Sequence, residues 1–319
     1  MSKALKSMNG KVLSPPKKLN DEKVVANANP RYQFKVKILS AQTIKILFEI
    51  LHYYVRTVCV IRITPTGIYI CENGDESRVI LNISINASNL AHYICRQKRT
   101  FHMGLEELYT TLKRSIKKTD ILEMYIENSN PNQFVFLIQP NGSRCQKSKV
   151  STNIVDVNRE MSYNIPSGYN STINITSVEL QKMCRGMEKL NENTVINVPR
   201  PRCLEMVCVS NGPTGRSSIY ELEDDEFTEE ELSGHRPYKG TLKTLDLTKL
   251  MKLVGLCKNV QIETDPEKPI KFTLPLGDIG MSQIFFRSNE QLEEMANETD
   301  SENESEDFSD AESDVESDE

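Results

Sequence analysis

The chain alternates between two hydrophobic rhythms, and it makes the same switch four times. In Ile175–Val198, Leu180, Met183, Met187 and Leu190 recur at steps of 3, 4 and 3, the spacing of one helical face. Thr176 and Ser177 open the stretch and Glu179 follows at capping distance, which predicts the helix start. Lys182, Arg185 and Lys189 fall on the opposite face. Asn191 and Asn193 end the helix, and Val195, Ile196 and Val198 begin a β-branched strand. Ser40–Ile63 repeats the unit, with Ile44, Leu47, Leu51 and Val55 inward and Lys45 among the outward positions. Leu105–Ile126 repeats it with Leu105, Leu108, Leu112 and Ile116 inward, and Lys113, Arg114, Lys117 and Lys118 crowd the helix end. Thr244–Ile262 repeats it with Leu247, Leu250 and Val254 inward and Lys249 and Lys252 off that face.

The helices start about 70 residues apart, too long a period for a solenoid repeat and suited to duplicated domains. Further strands are predicted at Tyr32–Leu39, Gly67–Cys71, Val79–Ile85, Gln133–Gln139, Glu205–Ser210, Arg216–Leu222, Thr241–Leu245, Ile270–Leu274 and Ile284–Arg287. The expected class is α+β, in two homologous halves with two helix-plus-sheet units each. The expected division is a basic disordered extension at 1–30, a first domain at 31–145, a connector at 146–169, a second domain at 170–288 and an acidic disordered tail at 289–319.

Charge changes this picture. The formal net charge is −6, but Asn289–Glu319 holds 15 acidic and no basic residues, so the rest stands at +9. Glu221–Glu231 holds 8 more acids and no base, which leaves +17 for the remainder. Any single surface Lys is ordinarily just solvated, but four basic helix faces in one chain point to a polyanion bound through charge neutralisation, largely without sequence preference.

Catalytic chemistry is not apparent. The four histidines are dispersed, and no phosphate-binding loop, nucleophile elbow or zinc-protease pattern occurs. The 8 cysteines include no C-x-x-C pair, so neither a metal nor a cofactor is expected. Reduced thiols and the lack of a secretory pattern are read as intracellular.

Three pieces carry a family resemblance: Lys182-Met-Cys-Arg185 on the central helix, the connector end Tyr163-Asn-Ile-Pro166, and the closing KPIKFTLPLGDIGMSQIFF. In order and spacing, Tyr32–Arg287 resembles a DNA sliding clamp of the proliferating-cell-nuclear-antigen (PCNA) type. The resemblance implies two clamp domains per subunit, with antiparallel sheets outside and helices within, and three subunits closing head to tail into a ring. It implies a processivity factor encircling double-stranded DNA and tethering DNA polymerase and other replication or repair proteins, placed by a clamp loader, without catalysis. Lys45, Lys113, Lys182, Arg185, Lys249 and Lys252 match clamp positions facing DNA; Arg114, Lys117 and Lys189 join them as candidates on the same basic faces. Strands Gln133–Gln139 and Arg216–Leu222 would pair between subunits. Val79, Leu81, Tyr163, Ile165, Pro166, Pro269, Phe285 and Phe286 match a front pocket for short partner motifs with aromatic anchors, although as residues they also read as ordinary core and strand positions. Two departures stand out: Gly74 replaces a large apolar residue, and Arg287-Ser288 replaces the usual Ala-Pro. The Asn/Lys/Ile-rich composition and both tails suit a large DNA virus, so the expected location is the nucleus or a viral replication site. Two other readings remain: a clamp-fold processivity factor that forms no ring, and an acidic-tailed chaperone or scaffold.

Overall fold

The computed structural model describes residues 31–74, 77–142, 146–157, 164–210, 214–221 and 235–297. The basic extension, most of the acidic loop, Tyr163 and the tail beyond residue 297 lie outside the described residues. In the first half, strand β1 (Tyr32–Ile38) leads to helix α1 (Ala41–Val55), then β2 (Val58–Thr64), β3 (Gly67–Asn73), β4 (Val79–Asn86), β5 (His92–Cys95) and β6 (Arg99–Gly104). Helix α2 (Glu106–Ser115) follows, then β7 (Ile121–Glu127), β8 (Asn130–Gln139) and β9 (Ser148–Asp156). The second half repeats this order: β10 (Ser171–Thr176), α3 (Ser177–Cys184), β11 (Asn193–Val198), β12 (Cys203–Val209), β13 (Gly215–Glu221), β14 (Tyr238–Lys243), α4 (Thr244–Val254), β15 (Asn259–Thr264), β16 (Ile270–Pro275) and β17 (Gly280–Phe286). Only β5 has no counterpart among the described residues. The architecture is α+β, and every strand pairing is antiparallel.

The apolar spacings explain the helices. Ile44, Leu47, Leu51 and Val55 of α1, Leu108 and Leu112 of α2, Leu180 and Met183 of α3, and Leu247, Leu250 and Val254 of α4 all enter one continuous core. The Thr176 hydroxyl accepts the Glu179 amide at 3.3 Å and meets the Glu179 carboxylate at 2.5 Å, so the expected cap forms.

The halves are joined inside the chain. β17 lies antiparallel to β4, from Gly280 opposite Ile85 to Phe286 opposite Val79. Beside this ladder, the Tyr54 hydroxyl donates to the Asp246 carbonyl at 2.8 Å and the Tyr53 hydroxyl to the Asp246 carboxylate at 3.2 Å. Lys252 pairs with Glu49 across the same joint.

Five expectations need correction. First, Ser148–Asp156 is a strand of the first domain, not connector. Val150, Thr152 and Ile154 alternate inward, but small polar neighbours hide that period in the sequence. Second, β8 is therefore not an edge: β9 pairs along it from Asn153 opposite Gln133 to Ser148 opposite Ile138. Among the described residues β13 ends the four-stranded sheet β13-β12-β11-β14, as expected for the edge at Arg216–Leu222, of which Leu222 lies outside the described residues. Third, the central helix stops at Cys184. Gly186 takes a left-handed conformation (φ 79°), a turn residue the periodicity did not weigh, and Met187–Lys189 form a 3-10 turn. Fourth, 289–297 is helical although it lies in the expected tail. Ser288 and Gln291 cap it reciprocally, at 3.0 and 3.3 Å. Fifth, strand β14 ends before Thr244, where α4 begins. Among the described residues no helix is long and apolar enough to cross a membrane.

Candidate nucleic-acid interface and partner surface

The helices lie side by side: α2 contacts α1, α1 contacts α4, and α4 contacts α3. One helical layer thus runs across both halves. Lys113, Arg114, Lys117, Lys182, Arg185 and Lys189 are all exposed. The Lys113 ammonium sits 5.4 Å from the Tyr109 ring centroid, and its hydrogen bond with the Tyr109 hydroxyl raises its pKa, keeping it cationic. Because α3 stops at Cys184, Arg185 is its extended C-cap and Lys189 lies in the 3-10 turn, so of the three expected on one helical face only Lys182 is on the helix.

Three further candidate cations are engaged within the protein. Lys45 donates to the Ile116 carbonyl at 2.9 Å, tying α1 to the end of α2. Lys249 stands 5.1 Å from the Tyr53 ring centroid. Lys252 is paired with Glu49, whose carboxylate also accepts from Tyr109 at 3.2 Å. Burial alone would raise the Glu49 pKa, but hydrogen bonding and charge attraction from Lys252, with help from Tyr109 and Lys113, outweigh it and hold the group below its ordinary value. Burial, reinforced by Asp246, pushes the neighbouring Tyr53 hydroxyl far up, so it remains a donor.

Arg216 of β13 supports the candidate site in a way that sequence spacing missed. Its guanidinium donates to the Lys182 carbonyl at 2.9 Å and to the Arg185 carbonyl, closing the C-terminal end of α3. A partner more than 30 positions away has no periodic signal in the sequence.

The candidate partner residues on β4 and β17 divide between the two faces of their joint. Val79, Leu81 and Phe286 belong to the core cluster, and Phe286 packs edge-on against Tyr54 and Phe272. Phe285 is also fully buried, but strand alternation puts it on the other face, opposite Ile80 and Lys271. Ile165 is 39 % exposed, and Pro166 and Pro269 are half-buried. The connector end is tied beside them, with the Tyr169 hydroxyl donating to the Pro269 carbonyl at 2.8 Å and Lys268 to the Gly168 carbonyl. At Gly74 no space is left for the larger residue of the resemblance. Its amide bonds the Val79 carbonyl at 2.6 Å, and a Cβ there would lie 2.9 Å from the Tyr54 carbonyl oxygen. A separate cleft of about 700 Å³ separates Leu292 and Ala296 of helix 289–297 from Thr244 and Leu245 of α4.

The described cysteines are free thiols, and burial raises Cys71 to about 11 and Cys184 to about 12, so both stay protonated. Among the described residues no three His, Cys, Asp or Glu side chains gather as a metal site requires.

A duplicated strand–helix–three-strand unit, joined sheet to sheet with its helices in a single layer, defines a two-domain clamp fold. Residues 164–290 match the family model described as proliferating cell nuclear antigen, C-terminal domain, so the second half of this chain is similar to that family. No curated protein matches the chain.

Proposed function

We propose that the chain is a sliding clamp: three copies close head to tail around double-stranded DNA, and the ring tethers DNA polymerase and other replication or repair proteins after a clamp loader has placed it. It acts as a scaffold, with no reaction of its own, in the nucleus or at a site of DNA replication.

The observation that carries this reading is the single helical layer across both halves, with exposed cations from α2 through the α3 end. Lys113, Arg114, Lys117, Lys182, Arg185 and Lys189 would meet phosphates, holding DNA without reading its bases. Lys45, Lys249 and Lys252 would act mainly by positioning the helices.

Ring closure draws support from the internal joint. By position in the duplicated order, β17 corresponds to β9 and β4 to β13. β17 and β4 are paired within the chain, whereas β13 ends its sheet and the first six residues of β9 pair with β8 alone. Joining β9 of one subunit to β13 of the next repeats the intramolecular contact and satisfies the edge groups. The face of Ile165, Pro166, Pro269 and Phe285 serves as the partner surface. Solution mass across a dilution series tests the assembly: a trimer persisting to low concentration is expected, and a monomer at every concentration would refute the ring.

A further inference from the structure

Among the described residues, the proposed partner surface carries a cation that no carboxylate meets. Register places Gln283 opposite Asn82, with a side-chain bond of 2.8 Å, and Phe285 opposite Ile80. The Arg287 amide donates to the Arg78 carbonyl at 2.9 Å, extending that ladder. Alternation therefore puts Arg287 on the same face as Phe285, flanked by Pro269 from β16's start. Neighbouring cations are matched: Lys271 with Glu263 at 2.7 Å, Lys268 with Asp265 at 3.3 Å, Arg236 with Glu267 at 2.7 Å. Among the described residues the Arg287 guanidinium meets only the Ser77 carbonyl, and its half-burial lowers its pKa. Removing such a group from water without an anion is unfavourable, so the place suits a carboxylate beside an apolar anchor.

We propose that this surface seats the chain's own segment Glu304-Ser-Glu-Asp-Phe308-Ser-Asp310, with Phe308 against Ile165, Pro166 and Pro269 and its acidic neighbours against Arg287. This rests on the reading of that face as a docking surface. Phe308 is the sole aromatic after Phe286, and no base occurs from Asn289 onward, so the segment joins an anchor to the complementary charge. Its root starts beside the site: Asn289 accepts from Arg78 at 2.9 Å, and the Glu290 carboxylate takes the Thr241 amide and hydroxyl at 3.1 and 2.6 Å. Helix 289–297 carries the chain away by about 14 Å. The eleven residues from 297 to Phe308 reach about 36 Å, more than the return requires. Intramolecular tethering supplies an effective concentration in the millimolar range, so weak contacts suffice. The segment would hold the surface until a partner with a better anchor displaces it.

The chain contains no tryptophan, so Phe308→Trp in the full-length protein creates a single reporter. Its emission is expected to shift to the blue, and acrylamide quenching to fall about threefold relative to a synthetic 298–319 peptide carrying the same Trp, because tethering keeps the segment seated. Adding Arg287→Glu should return both readings to those of the peptide. Glu306→Lys with Asp307→Lys should do the same without altering the folded body. A Trp as exposed as in the peptide overturns the assignment. Shielding that survives both sets of changes but disappears on Lys182→Glu with Arg185→Glu would place the segment on the helices and overturn it too. Retention of the reporter chain on nicked circular DNA is read in parallel: normal retention with an exposed Trp overturns this inference alone, while lost retention counts against the clamp.

Discussion

Reversing Lys182 and Arg185 to Glu probes the helical layer with little damage to the fold. Both side chains are exposed, and Arg216 bonds their carbonyl oxygens rather than their side chains, so the closure of α3 survives. Two acids near the helix C-terminus cost about 0.3–1 kcal/mol each through the helix dipole, so the variant should melt a few degrees lower and remain folded. The effect on DNA should be far larger. A ring of three would carry about six reversed charges; if DNA loses about four phosphate contacts, the slope of log affinity against log salt falls by about 3.6. A fourfold rise in salt would then weaken the wild type about a hundredfold more than the variant. Fluorescence anisotropy with a labelled duplex, titrated across salt, measures this, and changing the duplex sequence should leave the slopes alone. Equal slopes for wild type and variant would show that α3 does not meet DNA.

The edges can be tested with proline, which removes an amide donor. Adjacent amides in a strand point opposite ways, so either Ser218→Pro or Ile219→Pro in β13 should strike the free edge and yield monomers with unchanged circular dichroism; trimers from both would refute the β9–β13 joint. Ile165→Ala with Phe285→Ala should weaken binding of an aromatic-anchored partner peptide by about 1–3 kcal/mol while the assembly persists, and unaltered affinity by calorimetry would exclude that face. Because the folded Glu49 pKa is depressed, its contribution is present above the unfolded carboxylate range and lost as pH falls through the folded value. Glu49→Gln should therefore lower the melting temperature at pH 7 but converge with wild type once the pH falls below the depressed folded value; a difference independent of pH would assign the loss to packing.

The helices were legible because their apolar faces persist over two to four turns, and the duplication was legible because four such faces recur at one interval. The strand at Ser148–Asp156 was not, since three inward residues among small polar ones resemble a linker until β8 supplies its ladder. The basic residues could be found from the sequence, but their separation into exposed and engaged groups could not. That depends on contacts such as Lys252 with Glu49 and Lys45 with Ile116, which span distant segments. Alternation alone likewise could not say that Phe286 joins the main core while Phe285 is buried on the opposite face, because both faces of the β4–β17 joint are covered. Helix 289–297 was obscured by its acidity, although Ser288 and Gln291 stand at capping distance.

The most direct test of the central claim is topological. The clamp is loaded onto a nicked circular duplex, washed at a salt concentration that removes protein held by charge alone, and the circle is then cut once. Retention before the cut and release through the new ends after it is the predicted result. Equal retention on circular and linear DNA, or equal loss from both, would contradict a ring that encircles its template.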